Sequence, residues 1–244
     1  MKLVATIEAR MDSSRLPGKI LKELLGKPML ERLVERVKRS RFIQEIIVAT
    51  TTVPHDNETV KVCQNIGVKH FRGSSDDVLD RVLKAAKAYQ ADLIVELTGD
   101  CPLLDPVIID SVIQHYLENK YDYVSNVLER TFPRGMDTQI FSVKVLEEVS
   151  QMTQEPADRE NVSLYIYEHP EKYRLGNVSA PSELKRPELR LTVDTEPDLK
   201  LIRGIYSQLY PKKPNFLLHD IIQLLDSDSR LKEINAHVQQ KSAR

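Results

Sequence analysis

Tryptophan is missing from the chain, and its 244 residues include only 8 glycines and 2 cysteines. Lectin-like and collagen-like classes are disfavoured by that composition. Cys63 and Cys101 cannot build a disulfide framework, which points to a reducing, cytoplasmic setting. Neither sign of charge dominates. Thirty-five basic and 36 acidic residues leave a formal charge of -1, so no global field draws the protein to nucleic acid or an anionic membrane. Any anion site must be local. There is no apolar run of membrane-spanning length, and the first eight residues become charged too soon for a signal peptide. No G-x-G-x-x-G follows the first apolar run, Gly18-Lys19 leads into Ile20 rather than the Ser or Thr of a phosphate loop, and the 6 histidines are scattered. Dinucleotide oxidoreductases, P-loop NTPases and zinc enzymes lose their basis. What is present, 41% hydrophobic and 29% charged residues, suits a soluble protein with a sizeable core.

Over the first 125 residues, short apolar runs alternate with amphipathic stretches. Strands are expected at 3–7, 46–50, 68–71, 93–97 and 121–125, and helices at 30–37, 57–66, 76–89 and 106–117. That order predicts a three-layer α/β fold with a mostly parallel sheet. After Asn126 the pattern loosens, with short strands at 138–141 and 174–179 and helices at 144–150 and 159–167. An apolar strand at 189–193, a helix at 196–209, two last helices at 217–225 and 229–238, and a frayed tail over 239–244 complete the reading. No linker divides the chain, so residues 1–244 read as one domain with an arm over 126–180.

The loop Ala9 to Lys19 leaves the carboxyl end of the first expected strand, where open α/β sheets bind ligands. Arg10, Arg15 and Lys19 supply three cations, and Ser13 and Ser14 add hydroxyls, a set suited to a polyphosphate. A solvated charged turn has the same composition. Two other strand ends carry acids: Leu97-Thr98-Gly99-Asp100-Cys101-Pro102 and Leu191-Thr192-Val193-Asp194-Thr195-Glu196-Pro197. Strand ends of one parallel sheet share an edge, so Asp100 and Asp194 are expected to converge, and two hard carboxylates beside a phosphate site suit Mg²⁺. Taken singly, Asp100 also reads as a turn residue and Asp194 as a helix N-cap, with Thr195 as its competitor. Cys101 reads more simply as a small buried thiol than as a nucleophile.

The A-R-x-x-S-x-R-L-P-x-K pattern at Ala9, Arg10, Ser13, Arg15, Leu16, Pro17 and Lys19 resembles the signature of the cytidylyltransferases that activate acidic sugars. These are the acylneuraminate and 3-deoxy-manno-octulosonate enzymes, and the likeness leans to their spore-coat polysaccharide relatives. It extends to the G-D-x-P segment at Asp100, the D-T segment at Asp194, Gly73 to Arg81, Pro133 to Asp137 and Arg159 to Val162.

The resemblance implies a nucleotide-diphospho-sugar transferase-like fold and a homodimer joined through the arm. It also implies Mg²⁺ on Asp100 and Asp194, with triphosphate held by Arg10, Arg15 and Lys19. Backbone at Ala9 and the side chains of Ser13, Arg81 and Thr98 would lie on the nucleotide side, and Asp137, Arg159 and Glu160 on the acceptor side. Thr98 stands where octulosonate enzymes carry a base-reading Gln, Gln139 where relatives often have an acid, and Asn161 where they often have His. The expected activity is Mg²⁺-dependent transfer of CMP from CTP to an acidic sugar, with release of pyrophosphate, in surface polysaccharide or glycan precursor synthesis. A glycosyltransferase of similar fold and a non-catalytic nucleotide-binding protein are the alternatives.

Overall fold

A computed structural model describes residues 1–241. In chain order the strands are β1 (Leu3–Glu8), β2 (Glu23–Leu24), β3 (Lys27–Pro28), β4 (Glu45–Thr51), β5 (Lys69–Gly73), β6 (Leu93–Thr98), β7 (Tyr123–Ser125), β8 (Gln139–Ser142) and β9 (Leu175–Asn177). The α-helices are α1 (Met29–Val37), α2 (Asn57–Asn65), α3 (Val78–Ala88), α4 (Pro106–Glu118), α5 (Val143–Met152), α6 (Pro156–Glu160), α7 (Leu164–Glu168), α8 (Glu196–Leu209), α9 (Leu218–Ser227) and α10 (Ser229–Glu233).

Seven strands form one sheet in the order β5-β4-β1-β6-β8-β7-β9. β8 alone is reversed, pairing antiparallel with β6 and β7, so the sheet is mostly parallel. Alternation within β1 assigns the faces. Leu3, Ala5 and Ile7 pack with residues of α1, α4, α8 and α9, whereas Val4 packs with residues of α3, α5 and α7. The result is three layers, as the β-α-β order predicts.

Several segments differ from the sequence reading. Residues 189–193 are not a sheet strand. Their partner is a loop, through one bridge between Arg134 and Arg190, and Val193 N–H donates to the Asp100 carbonyl at 2.8 Å. Leu189, Leu191 and Val193 are buried against the α1/α4 side of the core, and that period-2 burial imitates a strand. The helix expected at 159–167 is two short ones, α6 and α7, interrupted where Asn161 caps α6 with its side-chain N–H on the Ala157 carbonyl. The helix expected at 229–238 stops at Glu233. The β2–β3 hairpin was not expected; its turn places Leu25 at φ 50° and Gly26 at φ 73°. Within the segment expected as an arm, β8 and β9 are members of the main sheet. In the expected frayed tail, Gln240 accepts a hydrogen bond from Arg190, and residues 242–244 lie outside the described residues.

Candidate active site

The loop from Ala9 to Lys19 is tied down at both ends of its turn. Met11 N–H donates to Asp56 Oδ1 at 2.7 Å, and the Met11 carbonyl accepts from Gly18 at 2.9 Å. Leu16 is buried in the core below. Gly18 turns the chain at φ 67°, a conformation that favours glycine, and delivers Lys19 inward.

There the two predicted aspartates meet. Lys19 Nζ lies 2.9 Å from Asp100 Oδ2 and 2.8 Å from Asp194 Oδ1. Arg15 reaches Asp194 Oδ2 at 3.0 Å, and Arg190 reaches the same oxygen at 2.6 Å. Burial opposes the charged form of Asp194, but Lys19, Arg190 and Arg15 outweigh it and hold the carboxyl below its usual range. Burial opposes the Lys19 ammonium too, and the two aspartates overcome it, so its pKa is raised. The N-cap alternative for Asp194 is excluded by its neighbour. Thr195 caps α8 and forms a reciprocal capping box with Asp198, which leaves the Asp194 side chain free for the cations.

A cavity of about 740 Å³ opens around this cluster. The structure brings Ala9, Arg10, Ser13, Arg15, Lys19, Arg81, Thr98, Asp100, Glu160 and Asp194 to its walls. Arg10 is anchored by a 3.0 Å hydrogen bond to the Ser75 carbonyl. Two residues expected on the acceptor side are not among those lining it. Asp137 accepts two hydrogen bonds from Arg130, both 2.8 Å, and Arg159 clasps Asp77, the cap of α3, with Nε at 3.0 Å. Both are spent on holding segments together. Cys101 is buried and its thiol is pushed well up by burial, which agrees with a packing role rather than nucleophilic chemistry.

Sequence reasoning missed the sheet face behind the cavity. Glu8 and Glu96 sit on adjacent strands on that face, and Gln139, the Cα partner of Glu96, accepts hydrogen bonds from Tyr123 and from Ser163. Burial pushes Glu8 well above, and Glu96 up to about 7. The signal was present: Thr6, Glu8, Glu96 and Thr98 make one face of two neighbouring strands polar, which is unusual for a core face.

Two hard carboxylates that meet at one point fit a Mg²⁺ ion, which takes few protein ligands and fills its shell with phosphate oxygens and water. Among the described residues no group of three or more His, Cys, Asp or Glu offers a denser metal site, and no helix is long and apolar enough to cross a membrane.

Residues 4–241 match the family described as cytidylyltransferase. The chain is 35% identical to a spore coat polysaccharide biosynthesis protein of Bacillus subtilis over 227 residues, 90% of this chain and 92% of that one. It is 38% identical to the 3-deoxy-manno-octulosonate cytidylyltransferase of Trichlorobacter lovleyi over 121 residues, 49% of this chain and 46% of that one. The solved structure of a cytidylyltransferase from Leptospira borgpetersenii superposes with a TM-score of 0.91 at 34% identity, covering 99% of both chains.

Proposed function

The chain belongs to the cytidylyltransferase family, and we propose that it transfers CMP from CTP to an acidic sugar, with release of pyrophosphate, in the synthesis of a surface polysaccharide or glycan precursor. The observation that carries this reading is the meeting of Asp100 and Asp194, 94 positions apart, at Lys19 beside Arg15. Two relatives supply the substrate class. One bears the name of an octulosonate cytidylyltransferase and the other of a spore coat polysaccharide protein.

The chain's own residues divide the work. Arg15 and Lys19 hold the triphosphate and stabilise the charge that builds on the departing pyrophosphate. The acceptor hydroxyl attacks the α-phosphorus in line; its oxygen–phosphorus bond forms as the bond to the β-phosphate oxygen breaks, and the hydroxyl proton passes to solvent. Asp100 and Asp194 would hold Mg²⁺, which when bound supplies Lewis-acid polarisation of the α-phosphate and a lowered pKa for the attacking hydroxyl. Arg190 keeps the Asp194 carboxylate oriented and is itself fixed by Asp198 at 2.9 Å. The proposal includes a homodimer, and exposed Leu128 and Met152 offer apolar surface in the segment assigned to it.

A pyrophosphate-release screen that crosses four nucleoside triphosphates with acidic sugars and sugar phosphates tests the reading. Pyrophosphate formed with CTP and an acidic sugar is the expected result. Release of free nucleotide from a nucleotide sugar would identify a glycosyltransferase instead, and binding without turnover across the panel a non-catalytic protein.

A further inference from the structure

Thr98 is the only side chain that the sequence offers as a base reader, and its hydroxyl is engaged 3.3 Å from Cys101 Sγ. Its Cα partner across the β1–β6 pair is Glu8, so the two side chains leave the sheet on the same face, and both line the cavity. Behind Glu8, on the same face of the neighbouring strand, stands Glu96, placed so that one carboxyl can hydrogen-bond the other when a proton is shared. Such a bond requires a proton between them. Glu8 Oε1, Glu96 Oε2 and Arg81 Nε are buried without a hydrogen-bond partner. Arg81 is 2% exposed and contributes to the cavity wall, and its Nε–H is a buried donor without an acceptor.

Charge decides which part of the reactants comes here. Arg15 and Lys19 draw phosphate to their own stretch of the cavity wall. Glu8, holding its proton, and Thr98 offer the cavity uncharged polar groups, which suit a nucleobase better than a phosphate or the carboxylate of an acidic sugar. The uncharged part of the nucleotide is what such groups accept, and Val78, Pro156 and Ala157 add apolar wall to the same cavity.

Building on the CTP reading above, we propose that Glu8 reads the nucleobase, presenting one carboxyl oxygen to it while the other is tied to Glu96. With the shared proton donated from Glu8 to Glu96, the oxygen left for the cavity is an acceptor only. It accepts from the exocyclic amino group of cytosine and meets the O4 carbonyl of uracil lone pair to lone pair. Burial first, then the charge of Glu96, favours the protonated form of Glu8 against the opposing pull of Arg81; Asp100 acts in the same direction as Glu96.

Calorimetric binding of CTP and UTP to the full chain, without acceptor, tests this in wild type, Glu8→Gln and Glu8→Leu, with melting temperatures on the same samples. Wild type should favour CTP. Glu8→Gln should keep that preference, because the amide gives its N–H to Glu96 and its carbonyl to the cavity. Glu8→Leu should weaken CTP by about tenfold or more and leave UTP within about threefold, so the preference collapses. Should Leu prevent folding, Glu8→Ala makes the same comparison. Undiminished preference in the apolar variant, or lost preference in a folded Glu8→Gln, overturns the assignment. A wild type that prefers ATP or GTP overturns the CTP reading itself, before any variant is measured.

Discussion

Asp100 and Asp194 share a single ammonium: Lys19 Nζ sits within 3 Å of a carboxylate oxygen from each. That arrangement neutralises two acids that would otherwise repel one another, and it places Lys19 where a divalent ion using the same oxygens has to compete. Lys19→Met should therefore bind Mn²⁺ more tightly than wild type in the absence of nucleotide, by about tenfold, while CTP binding weakens. Electron paramagnetic resonance titration of free Mn²⁺ reads the first effect and calorimetry the second. Weaker Mn²⁺ binding in Lys19→Met would show that the lysine does not compete for the pair.

The two aspartates and the neighbouring threonine separate chemistry from capping. Asp100→Asn and Asp194→Asn should each lower pyrophosphate release by roughly a hundredfold or more. Asp194→Asn should also lose stability, because Arg15, Lys19 and Arg190 then face one another with less negative charge between them. Thr195→Ala should behave oppositely, losing about 1 kcal/mol of stability through the α8 cap and keeping most activity. Melting curves and pyrophosphate release on the three variants decide it.

Glu96 ties stability to pH. Its folded value, raised to about 7 chiefly by burial, lies above the ordinary glutamate value of about 4.5, so the folded state holds the proton more tightly than the unfolded chain. Stability from this group is fully present below about 4.5 and is lost as pH rises through about 7. Glu96→Gln removes that dependence while keeping hydrogen-bonding capacity. Its melting temperature should match wild type more closely at pH 4.5 and exceed it by about 5 °C at pH 8. Parallel curves for the two proteins would contradict the assignment.

Gly135 stands at φ 100°, and a Cβ there would lie 2.5 Å from the Leu191 carbonyl carbon. Gly135→Ala should push away the segment that carries Asp194. The expectation is a loss of about 2 kcal/mol or more in stability, and a fall in pyrophosphate release at temperatures where the protein is still folded. Unchanged melting and turnover would show that the segment accommodates the methyl group.

Much of this architecture was legible because periodicity and chemistry agreed. β1, β4 and β6 are mostly apolar runs, as strands buried on both faces should be, and Pro106 and Gly67 mark helix ends. The convergence of Lys19, Asp100 and Asp194 followed from all three leaving strand-like segments on one side of the sheet. Residues 189–193 misled because burial with period 2 arises wherever an extended segment lies on a core, whether or not a strand pairs with it. Asp137 and Arg159 were placed on the acceptor side by resemblance; their actual partners, Arg130 and Asp77, follow from packing between distant elements that no local pattern encodes. Glu8 ends its strand and Glu96 interrupts its own, and only the β1–β6 register shows that they share one face.

The sheet is complete by Asn177, whereas Asp194 arrives later on a segment stitched to the body by a loop bridge and by Val193. Arg15, Lys19 and Asp100 leave the scaffold between its strands, whereas Asp194 is added only after the scaffold is finished. A local opening confined to residues 189–241 would withdraw one carboxylate, its guanidinium orienter Arg190 and the cavity wall at Gln240 in a single motion, with every sheet strand still paired. Nicking or loosening of that last quarter would silence the protein long before spectroscopy of its β-structure registered a change.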